Sequence, residues 1–153
     1  MADHLQQQIL DAVQTTITAA ATAAGSNVYL DRVDELLQAN LPAIHIEGGD
    51  EEASADSISF PTVYSRAYSF SVACVCGQAT GAAKAARNLA KQAEAALLAS
   101  ISTFTAGGKA QALVLLGSSE TKDGSGAVSL FEVRQQWQAR YTTLGGSPDV
   151  VPT

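Results

Sequence analysis

The closing stretch FEVRQQWQARYTTLGGSP constrains the fold more than any other part of the chain, because its side chains alternate strictly in character. Successive side chains of a strand point to opposite sides. Phe131, Val133, Trp137, Ala139 and Tyr141 therefore fall on one face, and Glu132, Arg134, Gln136, Gln138 and Arg140 on the other. The chain must build a sheet with one buried and one polar face. A long polar face of arginines and glutamines suits contact with another protein better than turnover of a substrate.

The rest of the sequence supplies what covers the apolar face. Leu5, Ile9, Val13, Ile17 and Ala20 recur at i, i+4 spacing and predict a helix of about five turns from Asp3 or His4 to Ala24, stopped by Gly25. SNVYL reads as a brief edge strand, and Asp31 as the N-cap of a short helix through Val33, Leu36 and Leu37. Leu41-Pro42 ends that helix and leads into a strand, AIHIE. A second long strand follows, with Tyr64, Tyr68, Phe70, Val72, Cys74 and Cys76 alternating with small and polar residues and Arg66 the one departure. Gly81 to Ile101 carries an alanine-rich stripe that lets a helix lie close across a sheet. AGGK then turns the chain, ALVLLGSSET is a strand, and KDGSG connects it to the final strand. The expected architecture is α+β in two layers, a mainly antiparallel mixed sheet with long strands covered on one face by two main helices.

Residues 48–59, GGDEEASADSIS, offer almost nothing to bury and are expected to form a flexible acidic loop, and the tail at 145–153 is expected to be loose. The 153 residues form one domain, large enough to bury about two thirds of the unfolded surface without a metal or disulfide. A net charge of −6 with scattered basic residues argues against a sequence-independent grip on nucleic acid. The amino terminus does not read as a secretory signal, and no apolar run is long enough to span a bilayer, so a soluble chain made in a cytosol is expected.

No catalytic, cofactor-binding or metal-binding residues emerge. His4 and His45 stand apart from any motif that would orient a general base, and the glycine pairs lack phosphate-loop and dinucleotide patterns. The acidic segment does not match a calcium loop. Cys74 and Cys76 lie on one strand face at the far limit for a disulfide and read as small core residues. The residues expected to meet a partner are charged. Glu47, Asp50, Glu51, Glu52 and Asp56 form one acidic set, and Arg66, Arg134 and Arg140 are strand-borne cations whose planar forks suit carboxylates of a neighbouring subunit.

This arrangement resembles the tail terminator, or tail completion, proteins of long-tailed bacteriophages. The residues that carry the resemblance are the amino-terminal helix, VYLDRVDELLQANLPAIHIEGGDEE, Arg66 opening a strand, the alanine-rich helix, and the closing FEVRQQWQARYTTLGGSP. It implies a structural, non-enzymatic protein that forms a ring, hexameric in that family, on the head-proximal end of the tail tube. Such a ring stops tube polymerisation and meets the head-tail connector or stopper protein. The implied partners are copies of the chain itself, the tail tube protein and the connector, with DNA passing the lumen without specific binding. The implied location is the tail of a virion assembled in the host cytoplasm, with no membrane involved. The competing reading is a small cytosolic α+β binding or regulatory module acting as a dimer.

Overall fold

A computed structural model describes residues 3–32, 41–57, 60–78, 80–99, 110–123 and 129–149. In chain order these build α1 (Leu5–Ala19), β1 (Val28–Leu30), β2 (Ala43–Ala55), β3 (Val63–Gln78), α2 (Ala82–Ala99), β4 (Ala112–Asp123) and β5 (Ser129–Leu144). The strands form one five-stranded sheet in the order β1-β2-β3-β5-β4. Only β1 and β2 run parallel, and every other neighbouring pair is antiparallel. The expected α+β architecture is what the chain adopts.

Both helices turn their apolar stripes to the same side of the sheet. Leu5, Ile9, Val13 and Ile17 of α1 and Ala86, Leu89, Ala93 and Leu97 of α2 are buried. They join Ile44, Ile46, Phe70, Val72, Cys74, Val133, Trp137 and Tyr141 in one core. Register explains why these meet: Ile44 pairs with Cys74 and Cys74 with Val133, while Phe70 pairs with Trp137, so each row crosses the sheet on one face. The turn that follows α1 is tied to α2, by Gln92 Oε1 accepting from the Ala23 amide at 2.8 Å.

Several boundaries differ from expectation. The first helix begins at Leu5, with His4 Nδ1 accepting from the Gln6 amide at 3.1 Å, and it ends at Ala19 because Ala21 turns left-handed (φ 50°) ahead of Gly25 (φ 58°). Asp31 closes β1: its amide donates to Ile46 O at 2.8 Å and its Oδ1 accepts from the Gly48 amide at 3.2 Å. The short helix through Val33, Leu36 and Leu37 lies outside the described residues, as do the last two residues expected of the long helix and the AGGK turn.

The main correction concerns the acidic segment. Gly48–Ala55 is the second half of β2, paired residue by residue with β3 from Glu51 opposite Tyr68 to Ala55 opposite Tyr64. The register slips between Gly48 and Glu51, a β-bulge. The glycines fit that bulge: a Cβ on Gly48 would collide with the Tyr68 hydroxyl, and one on Gly49 would lie 2.9 Å from the Ser69 carbonyl oxygen. An acidic segment with no apolar face is held here because the long β3 supplies its backbone partners. Asp56 continues this closure, its amide donating to Val63 O at 2.8 Å and its carboxylate accepting from the Ser65 hydroxyl. Nor is the tail loose through residue 149. Gly145 donates to Thr62 O at 2.7 Å, Pro148 O accepts from the Leu5 amide at 3.1 Å, and Asp149 O accepts from Gln8 Nε2 at 3.0 Å.

Candidate assembly surfaces

The eight charged residues singled out from sequence separate into two groups once the strands are aligned. Glu51 and Arg66 face the helix side and form an ion pair at 2.9 Å. Arg66 Nε also donates to Thr143 Oγ1 at 2.7 Å, and the Tyr141 hydroxyl donates to Glu51 Oε1. Burial alone would raise the Glu51 carboxyl. Hydrogen bonds from Tyr141, Gln6 and Arg66, with the Arg66 charge, outweigh it and hold the pKa below the ordinary glutamate value. Thr143 is fully buried, so this is a closed polar cluster at the rim of the core.

On the opposite face, Arg134 Nη1 donates to Glu47 Oε2 and Ser71 Oγ, each at 3.1 Å, and Nη2 donates to Glu132 Oε1 at 3.0 Å. Glu47, Glu51, Arg66 and Arg134 are therefore paired within the subunit. Asp56 is bonded to Ser65 in the same way. Glu52, Asp50 and Arg140 remain exposed, and Arg140 Nε donates to Gln138 Oε1 at 3.0 Å. Among the described residues, Arg140 has no carboxylate partner and Glu52 no basic one. Both line an open concavity of about 360 Å³ with Ser54, Ser65 and Gln111.

The face away from the helices is polar along its length. Ser65, Ser69, Gln136 and Gln138 are half-buried or exposed there, beside the internally neutralised Arg134 group. His45 stands on this face, its ring edge-on to Tyr29 at 5.7 Å between centroids, and its buried Nε2 has no hydrogen-bond partner among the described residues. Its pKa is lowered, first by burial. Glu47 and Glu132 pull it up, and Arg32 and Arg134 pull it down. A neutral imidazole is therefore expected at pH 7.

Among the described residues, both sheet edges lack a partner over part of their length. Beyond Gly48, no described residue pairs with the outer edge of β2, because β1 matches only Val28–Leu30 to Ile44–Ile46. β4 is the other terminal strand, and its outer edge has no described partner. Leu116, on the β4 bulge, is 54% exposed, and Phe60, at the β2–β3 turn, is 98% exposed.

Two functional-looking residues were missed in the sequence. Gln135 lies on the apolar face and is buried; its Nε2 donates to Ala90 O at 3.0 Å and its Oε1 accepts from Trp137 Nε1 at 3.2 Å. Its position among Val133, Trp137 and Ala139 was the available signal. Tyr141 falls on the apolar face by parity, yet its hydroxyl is the link to Glu51.

Cys74 and Cys76 are free and buried. Burial first, then the charges of Cys76 and Glu132, pushes the Cys74 thiol up to about 12, so it is not a thiolate at neutral pH. Neither cysteine of the folded subunit is expected to react with a thiol-selective alkylating agent at pH 8, and both react after denaturation. Mass spectrometry of the two samples checks this, and rapid labelling of folded protein would refute it. Among the described residues, no group of three or more His, Cys, Asp or Glu is arranged to hold a metal ion. No described helix is long and apolar enough to cross a membrane.

No family model matches the sequence, and no curated protein does. Among solved structures, the chain is similar to one from the virion of a native gene transfer agent particle. The two share 19% identity over 88% of this chain and 90% of that one, with a TM-score of 0.44.

Proposed function

We propose that this chain is a structural subunit of a phage tail, forming a ring on the head-proximal end of the tail tube that stops polymerisation and meets the head-tail connector. The observation that carries this reading is the one-sided sheet. Helices cover one face, while the other is a broad surface of serines and glutamines on which the Arg134 charge is neutralised in place by Glu47 and Glu132. Turned toward a lumen, such a face offers passing DNA no clustered cations, so phosphate neutralisation does not hold the polymer. The helices then lie outside. The resemblance of the element order to tail terminators points the same way, and we read the protein as an assembly component and not an enzyme.

The exposed Phe60 at one end of the β2–β3 hairpin is an apolar anchor of the kind that fits a pocket on an axial neighbour, tube or connector. Adding the purified chain to polymerising tail tube protein should halt growth at substoichiometric amounts and leave a cap visible by electron microscopy. Tubes that keep growing at equimolar chain contradict the proposal.

A further inference from the structure

The strand order fixes a directional relation between the two open edges. β2 is antiparallel to β3, β3 to β5, and β5 to β4, so β4 runs opposite to β2. Two copies set side by side by rotation about an axis along the strands therefore bring the β4 edge of one against the β2 edge of the next in antiparallel sense. That is the commoner way for strands to pair. The contact joins two different surfaces, as a closing ring requires.

Charge gives this joint a register. Glu52 pairs with Ala67, Ala67 with Arg140, and Arg140 with Ala112, so these four residues form one row across the polar face from β2 to β4. Glu52 sits on one open edge strand. Arg140 sits one strand in from the other open edge, with only the methyl group of Ala112 between. They are the two charges of this row, opposite in sign, and neither has an oppositely charged partner among the described residues.

We infer that the Ala112–Leu115 end of β4 in one subunit pairs edge to edge with the Gly49–Ala55 half of β2 in the next, and that Arg140 reaches across Ala112 to the neighbour's Glu52. This rests on the ring reading above. The two Cα atoms lie two strands apart, about 10 Å, within reach of an arginine and a glutamate over an alanine. The same spacing separates Glu52 and Arg140 inside one subunit across Ala67, where Arg140 turns to Gln138 instead. Leu116 on the β4 bulge is covered when the edges join.

The test is a charge exchange between subunits. Glu52→Arg and Arg140→Glu, each alone, oppose like charges at every joint and should raise the concentration needed for ring formation about ten-fold or more. Both residues are exposed, so thermal unfolding should be close to that of the parent protein. An equimolar mixture of the two variants matches every joint in an alternating ring and should restore assembly, as should both changes in one chain. A pair made within one subunit cannot be rescued by mixing, so failure of the mixture overturns the inference. Single variants that assemble like the parent overturn it too and leave the ring intact, whereas a parent protein that forms no ring, alone or on tubes, overturns the functional reading itself. Should either variant fold poorly, amide exchange on the parent protein decides. Protection of Leu113–Leu116 and Gly49–Ala55 must rise on assembly, and unchanged exchange there contradicts the joint.

Discussion

Trp137→Ala is expected to lower the stability of the subunit by about 3–5 kcal/mol, the range for removing a large aromatic side chain from a closed core. Trp137 is fully buried and lies in the row Gly48, Phe70, Trp137, Leu115, at the middle of the sheet. Two effects add. The indole leaves a cavity against Phe70, which the sheet cannot collapse because β3 and β5 are paired along sixteen residues each. Its loss also leaves Gln135 Oε1, buried and hydrogen-bonded to Nε1, without its donor. Phenylalanine at the same position keeps most of the volume but not the donor, so Trp137→Phe should cost less and retain the fold. Urea unfolding of the three proteins checks the order. Equal midpoints for the parent and Trp137→Ala would refute the packing described.

The second large effect is expected from Arg66→Met, at about 2–3 kcal/mol near neutral pH, with a size that depends on acidity. The substitution leaves the half-buried Glu51 carboxylate without its cation and takes a donor from Thr143. In the parent protein the folded pKa of Glu51 is depressed, so its contribution is present above the unfolded value and is lost as pH falls through the folded one. Removing Arg66 deletes a favourable charge and a hydrogen bond, and the burial that raises the carboxyl then counts for more. The stability gap between parent and variant should therefore be widest at neutral pH and shrink as Glu51 protonates in acid. Chemical unfolding at pH 7 and at pH 3 measures this. A gap that stays constant or widens in acid would show that the Arg66–Glu51 pair does not set it.

These two sites also show what could be read from the sequence and what could not. The face of β5 followed from its alternation, because side-chain parity in a strand is fixed by geometry, and Trp137 and Tyr141 fall where that parity places them. Gln135 broke the pattern, and its two partners, Ala90 and Trp137, come from a helix and from the same strand. The long helix and the alanine stripe were legible for the same geometric reason. The acidic half of β2 was not. Its composition describes a segment unable to order itself, whereas its pairing is dictated by β3, and the bulge glycines carry a meaning only beside Tyr68 and Ser69. Arginine forks suit carboxylates, and that much the residue type conveys. Which carboxylates could not be seen, since Glu47 lies 87 residues from Arg134 and Glu51 lies 15 from Arg66, distances that only the sheet register closes. Arg140 is left over by that closure and carries the proposed joint.

The measurement that tests the assembly reading most directly is the native mass of the purified chain across a concentration series, with electron microscopy of the same samples. Six-fold rings at six times the 15.8 kDa subunit mass are expected, either free at high concentration or on the ends of added tail tubes. A compact dimer at every concentration, unchanged by the presence of tubes, would contradict it.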